Sequence, residues 1–76
     1  MKQSVINIDS EIMGGTPVFR GTRVPVQSLF NWLEKETLDY FLLNFPSVKK
    51  KQAIEVLRLA EKLVTSQKVF DENLVG

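Results

Sequence analysis

Three consecutive lysines, Lys49, Lys50 and Lys51, form the densest run of charge in the sequence. Clustered ammonium groups do one kind of chemistry well. They neutralise phosphates and release the counterions condensed on them. Two further cations, Arg20 and Arg23, bracket Gly21 and Thr22 inside the stretch MGGTPVFRGTRVPV at 13–26. Glycines beside arginines invite comparison with a phosphate-cradling loop. The stretch has no Gly-x-Gly-x-x-Gly and no Gly-Lys-Ser/Thr ending. Its prolines also remove backbone N–H groups that such a cradle would use. A structural turn is the better reading, built from Gly14, Gly15, Pro17, Gly21, Thr22, Arg23 and Pro25. The chain contains no histidine and no cysteine. That removes the usual zinc sites, histidine-based triads and thiolate chemistry. No cluster of carboxylates points to a metal, so neither a cofactor nor an enzymatic activity is expected.

The elements that must position these cations are legible from pattern. The chain has 76 residues, with 43% apolar and 25% charged, and a net charge of +1. That is one small globular domain with a modest core. No run is long enough to span a bilayer and no signal peptide opens the chain, so a cytoplasmic protein without a membrane partner is expected. SVINI at 4–8 suits a short strand, and Asp9 is placed to cap a single turn. Val18, Phe19 and Val24 favour extended chain around an Arg-Gly-Thr turn. From Val26 the period becomes helical. Val26, Leu29, Phe30 and Leu33 share one face, predicting a first helix over about 26–35. Thr37 is placed to cap a second helix, striped by Leu38, Phe41, Leu42 and Phe45 and stopped by Pro46. Ser47 is placed to cap a third and longest helix over about 48–66, striped by Ala53, Val56, Leu57, Ala60 and Val64. Helices two and three are joined by a connection of helix-turn-helix length. The expected organisation is a domain at 1–66 and a tail at 67–76.

The lysines break a local rule. At the start of a helix they oppose its dipole by about 0.3–1 kcal/mol each. In a helix-turn-helix, the start of the second motif helix meets the major groove and nearby phosphates. Lys49, Lys50 and Lys51 are therefore candidate DNA contacts, with Gln52 and Arg58 further along and Arg20 as a weaker phosphate candidate. Of the two arginines, Arg23 sits within the turn and reads as structural; Arg20 reads as more open. The competing reading is a solvated surface in which Glu55 pairs with Lys51 at i, i+4. Sequence chemistry leaves these two readings level. The aromatic residues fall on or near core stripes. In the tail, Val69, Phe70, Leu74 and Val75 are apolar residues beyond the last stripe, candidates for docking on another protein together with Lys68.

The stretch DSEIMGGTPVFRGTRVPVQSLFNWLEK, followed by FPSVKKKQAIEVLRLAEKL, resembles a family of small prokaryotic VapB-type antitoxins, a domain of unknown function with a homeodomain-like helix-turn-helix. The matching positions are Gly14, Gly15, Pro17, Val18, Gly21, Thr22, Arg23, Val24, Pro25 and Val26, then Phe45 and Pro46. The resemblance implies a mainly α fold. An N-terminal strand and β-hairpin would precede a three-helix, homeodomain-like or winged-helix-like helix-turn-helix. It further implies a non-enzymatic antitoxin that neutralises a PIN-like ribonuclease toxin and represses its own operon. Three departures from the family pattern stand out. Lys35-Glu36-Thr37 replaces a glycine connection between the first two helices. Asn44 replaces an acidic residue before Phe45-Pro46. Lys49 to Lys51 replace a Ser/Thr-acidic start. The last two make the expected groove-facing end more basic. A homodimer is also expected, on the ground that SVINI is a strand without support in a chain with little core. The alternative function is a protein-interaction module that never touches DNA.

Overall fold

The computed structural model describes residues 4–66. The element order is β1 (Ile6–Asn7), a single 3-10 turn (Met13–Gly15), β2 (Val18–Phe19), α1 (Val26–Leu33), α2 (Leu38–Asn44) and α3 (Lys50–Val64). The protein is mainly α, with a short antiparallel strand pair ahead of three helices. Among the described residues no helix is long and apolar enough to cross a membrane. The tail residues Lys68, Val69, Phe70, Leu74 and Val75 lie outside the described residues.

β2 is the centre of the N-terminal half. On one side it pairs with β1, Ile6 opposite Phe19 and Asn7 opposite Val18. On the other side the chain folds back after Phe19, so that Val18 bridges to Pro25 and the Phe19 N–H donates to the Val24 carbonyl at 3.0 Å. Val18 and Phe19 are both fully buried. Strand β1 thus finds its partner within its own chain.

Between the strands the backbone turns tightly. The Asp9 carboxylate accepts from the Glu11 N–H at 2.9 Å, the single capped turn expected there. Met13, Gly14 and Gly15 follow with φ of 50°, 65° and 89°. A Cβ on either glycine would meet nothing within 4 Å. The left-handed backbone, rather than crowding, is what calls for glycine.

α1 starts directly after Pro25 and ends at Leu33, shorter than the expected 26–35. Its end tightens, with the Glu34 N–H donating to the Asn31 carbonyl and the Lys35 N–H to the Trp32 carbonyl. Thr37 caps α2, its hydroxyl accepting from the Tyr40 N–H at 3.1 Å. Pro46 lies just beyond the end of α2, as its restriction on Phe45 requires. The third helix corrects the sequence reading. Ser47 is not its cap and 48–66 are not its bounds: α3 begins at Lys50 with Lys49 at the N-cap position. Val48 is the reason. It is buried in the core, its N–H donating to the Phe45 carbonyl, so it closes the inter-helix turn and cannot start the helix.

The core is a single cluster drawing on every part of the fold: Val5, Phe19, Val26, Leu29, Phe41, Val48, Ala53 and Val56. Phe41 stacks on Phe45 with ring centroids 4.8 Å apart and meets Phe19 at 6.3 Å and the edge of Trp32 at 6.4 Å. The stripe of α3 is covered only in its first half. Ala53 and Val56 are buried, while Leu63 and Val64 are exposed.

The hydroxyl cap on α2 gives a direct check on this local logic. Thr37→Ala is expected to destabilise the domain by about 1 kcal/mol in urea unfolding, with Thr37→Asp restoring most of it. Equal midpoints for wild type and Thr37→Ala would show that α2 gains nothing from the cap.

Candidate nucleic-acid interface

The start of α3, the turn after β2 and the chain around Ser4 and Val5 enclose a shallow groove of about 520 Å³. Arg20 and Gly21 form one wall; Lys49, Lys51, Gln52 and Glu55 form the other. Two of these residues hold the groove together. The Arg20 guanidinium donates from Nε to the Ser4 carbonyl at 2.6 Å and from Nη2 to the Ile6 carbonyl at 3.3 Å. The Gln52 amide donates from Nε2 to the Arg20 carbonyl at 3.0 Å, while its Oε1 accepts from the Lys49 N–H at 3.0 Å. Gln52 therefore closes the first turn of α3 and fastens that turn to the hairpin. It forms half of a capping box; lysine at the N-cap has no acceptor to complete the other half.

The turn between Phe19 and Val24 is built by Thr22 and Gly21. The Thr22 hydroxyl donates to the Phe19 carbonyl at 2.8 Å and accepts from the Val24 N–H at 3.0 Å. Gly21 takes φ of 80°. Arg23 is exposed, and its side chain has no hydrogen bond or ion pair among the described residues. The two arginines thus exchange the roles read from the sequence. Arg20 fastens strand to turn, and Arg23 is unpaired among the described residues. Neither position in the turn decides this; the carbonyls of Ser4 and Ile6, distant in sequence, do.

Lys49, Lys50, Lys51, Arg58 and Lys62 are all exposed, and none has a side-chain hydrogen bond or ion pair among the described residues. The Lys51–Glu55 pair of the competing reading does not form among the described residues. Lys51, Arg58 and Lys62 fall on one side of α3, away from buried Ala53 and Val56, with Glu55 as the acid among them. Helix periodicity alone foresees this cationic face. Gln52, a candidate base-reading residue in the sequence, instead has both ends of its amide in intramolecular bonds. Its signal is present: counted from Lys49 as N-cap, it falls at N3, the position that reaches back to the cap. Taking Ser47 as the cap conceals it. Among the described residues no group of three or more His, Cys, Asp or Glu is arranged to hold a metal.

The family model described as "Protein of unknown function (DUF433)" matches residues 6–60. The chain belongs to that family. No curated protein and no solved structure matches it. The DUF433 match takes in both strands, the Arg20–Arg23 turn and α3 as far as Ala60, so it includes all of the groove except Ser4 and Val5. The family is one of unknown function, so the chemistry has to come from the groove and from α3.

The exchange of arginine roles is measurable. Arg20→Ala is expected to lower stability by about 1 kcal/mol, given two charge-assisted bonds in a half-exposed setting. Arg23→Ala should stay within about 0.5 kcal/mol of wild type, as for an unengaged surface residue. Thermal melts showing the reverse order would restore the sequence reading.

Proposed function

We propose that this DUF433 protein is a non-enzymatic, antitoxin-type protein that binds duplex DNA through α3. The observation that carries the reading is the face of α3. Its lysines and Arg58 are exposed and have no carboxylate partner in the described chain, although Glu55 stands one helical turn from Lys51. A stable helix gains from acids at its start and from i, i+4 pairs. This one has three cations there and makes no pair. Residues that give up local stability in this way are best explained by an external anion. The five-residue connection 45–49 between α2 and α3 is one residue longer than the three- to four-residue turn of a helix-turn-helix. In that motif the second helix enters the major groove from its N-terminal end. Lys49, Lys50 and Lys51 would meet phosphates at the groove edge. Arg58, further along the same helix, would meet either a base edge or the next phosphate.

The antitoxin part of the proposal comes from the motif resemblance and names the partner as a PIN-like ribonuclease toxin, with operator binding as autoregulation of the shared operon. A second reading, an interaction module without DNA binding, has its own supporting observation. Leu43 on α2 is 74% exposed and Leu63 on α3 is 67% exposed. Apolar residues so open on a small domain suit a protein partner.

Fluorescence anisotropy across a salt series separates the readings, with duplex from the protein's own upstream region and a scrambled duplex as control. Selective, salt-dependent binding is expected. Replacing Lys49, Lys50 and Lys51 by alanine should weaken binding to both duplexes. It should also flatten the slope of log K against log salt by about 0.9 for each phosphate no longer neutralised. Absence of binding by the wild type to either duplex at low salt would leave the interaction module as the function.

A further inference from the structure

We infer that Arg23, at the end of the turn after β2, is a second and separate contact to the DNA phosphate backbone, held at a fixed spacing from the start of α3 by Gln52. This rests on the reading that α3 docks on duplex DNA, and it adds a residue and a device to that reading.

Four observations carry it. First, among the described residues nothing bonds the Arg23 side chain. The turn is built by Gly21 and the Thr22 hydroxyl, and the fastening of turn to strand is done by Arg20. Second, the turn that carries Arg23 is seated against the start of α3. Arg20 and Gly21 line the same groove as Lys49 and Lys51, and Arg23 lies two residues beyond Gly21. Third, the turn is rigidly made, since Thr22 ties its backbone through Phe19 and Val24. Fourth, the two cationic points are joined by a side chain. Gln52, in the first turn of α3, donates to the Arg20 carbonyl across 32 residues of sequence.

The consequence is geometric. Phosphates along a strand are regularly spaced, and phosphate contacts set a protein's register on the duplex. Two cations on independently moving elements would each lose their own conformational entropy on docking. Fastened together they are ordered before the DNA arrives. On this reading Arg23 meets one phosphate of the backbone and the lysines at the start of α3 meet others.

The test uses the full chain and the upstream duplex in the same salt series. Arg23→Ala is expected to lower affinity about five- to tenfold at about 0.1 M salt and to reduce the salt slope by about 0.9, with sequence preference and melting temperature unchanged. Arg23→Lys should recover most of the slope, since it keeps the charge. Gln52→Met removes both hydrogen bonds without adding charge. In that background Arg23→Ala should weaken binding less than about twofold, which exposes the coupling between tie and turn. Unchanged affinity and slope in Arg23→Ala, while the lysine variant loses both, would overturn the inference and leave the α3 reading standing. A full and equal effect of Arg23→Ala in both backgrounds would keep the contact and remove the role of Gln52. A wild type that binds no duplex would overturn the reading and the inference together.

Discussion

The ring of Phe41 is the constraint on which the rest of this small fold depends. It is fully buried and meets an aromatic ring from three directions: Phe19 from the strands, Trp32 from α1 and Phe45 from the end of its own helix. A 76-residue chain without disulfides has few other means of joining its parts. α2 is only seven residues long, too short to be stable alone, so its helicity depends on this packing. Fixing α2 fixes where the turn at 45–49 begins, and that turn delivers Val48 to the core and sets the first residue of α3.

A second layer of organisation is polar and lies at one end. Arg20 and Gln52 both donate to backbone carbonyls far from them in sequence, at Ser4, Ile6 and Arg20 itself. No buried side-chain polar atom among the described residues is left without a partner. At the groove the fold therefore commits Arg20 and Gln52 to backbone acceptors, while the lysines at the start of α3 are exposed and make no side-chain bond among the described residues. The start of α3 shows the balance. Cations there work against the dipole, and the N-cap lysine brings no acceptor, yet Gln52 satisfies the Lys49 N–H and anchors the turn. A helix start poor by local rules is thereby held rigid by a tertiary bond. That combination suits a surface required to present positive charge in a fixed place.

Much of the fold was legible because the signals are local. Period-3.6 stripes marked all three helices, Thr37 and Pro46 punctuated the second, and Asp9 marked its own capped turn. Each depends on residues within about four positions of one another, a range over which side chain and backbone settle their geometry nearly independently of the rest of the chain. The cationic face of α3 was readable for the same reason. Where the local signals were nearly equal, tertiary packing chose. Ser47 is a better N-cap than Lys49 by residue type. Burial of Val48 nevertheless moved the helix start past it and turned Gln52 from a surface residue into a tie.

By itself, then, the sequence determined a mainly α chain with a short strand pair before three helices, no cysteine or histidine chemistry, and a cluster of lysines at the head of the last helix. Only the tertiary structure decided which arginine fastens the fold and which is unpaired among the described residues, that β1 pairs with β2 of its own chain, and that the turn and α3 are bound into one unit. The physical reason is that these outcomes hang on hydrogen bonds between residues far apart in the chain. Arg20 reaches the Ile6 and Ser4 carbonyls across 14 and 16 residues, and Gln52 reaches the Arg20 carbonyl across 32. No periodicity or capping rule reaches so far. They form only once the apolar core has brought those backbones side by side.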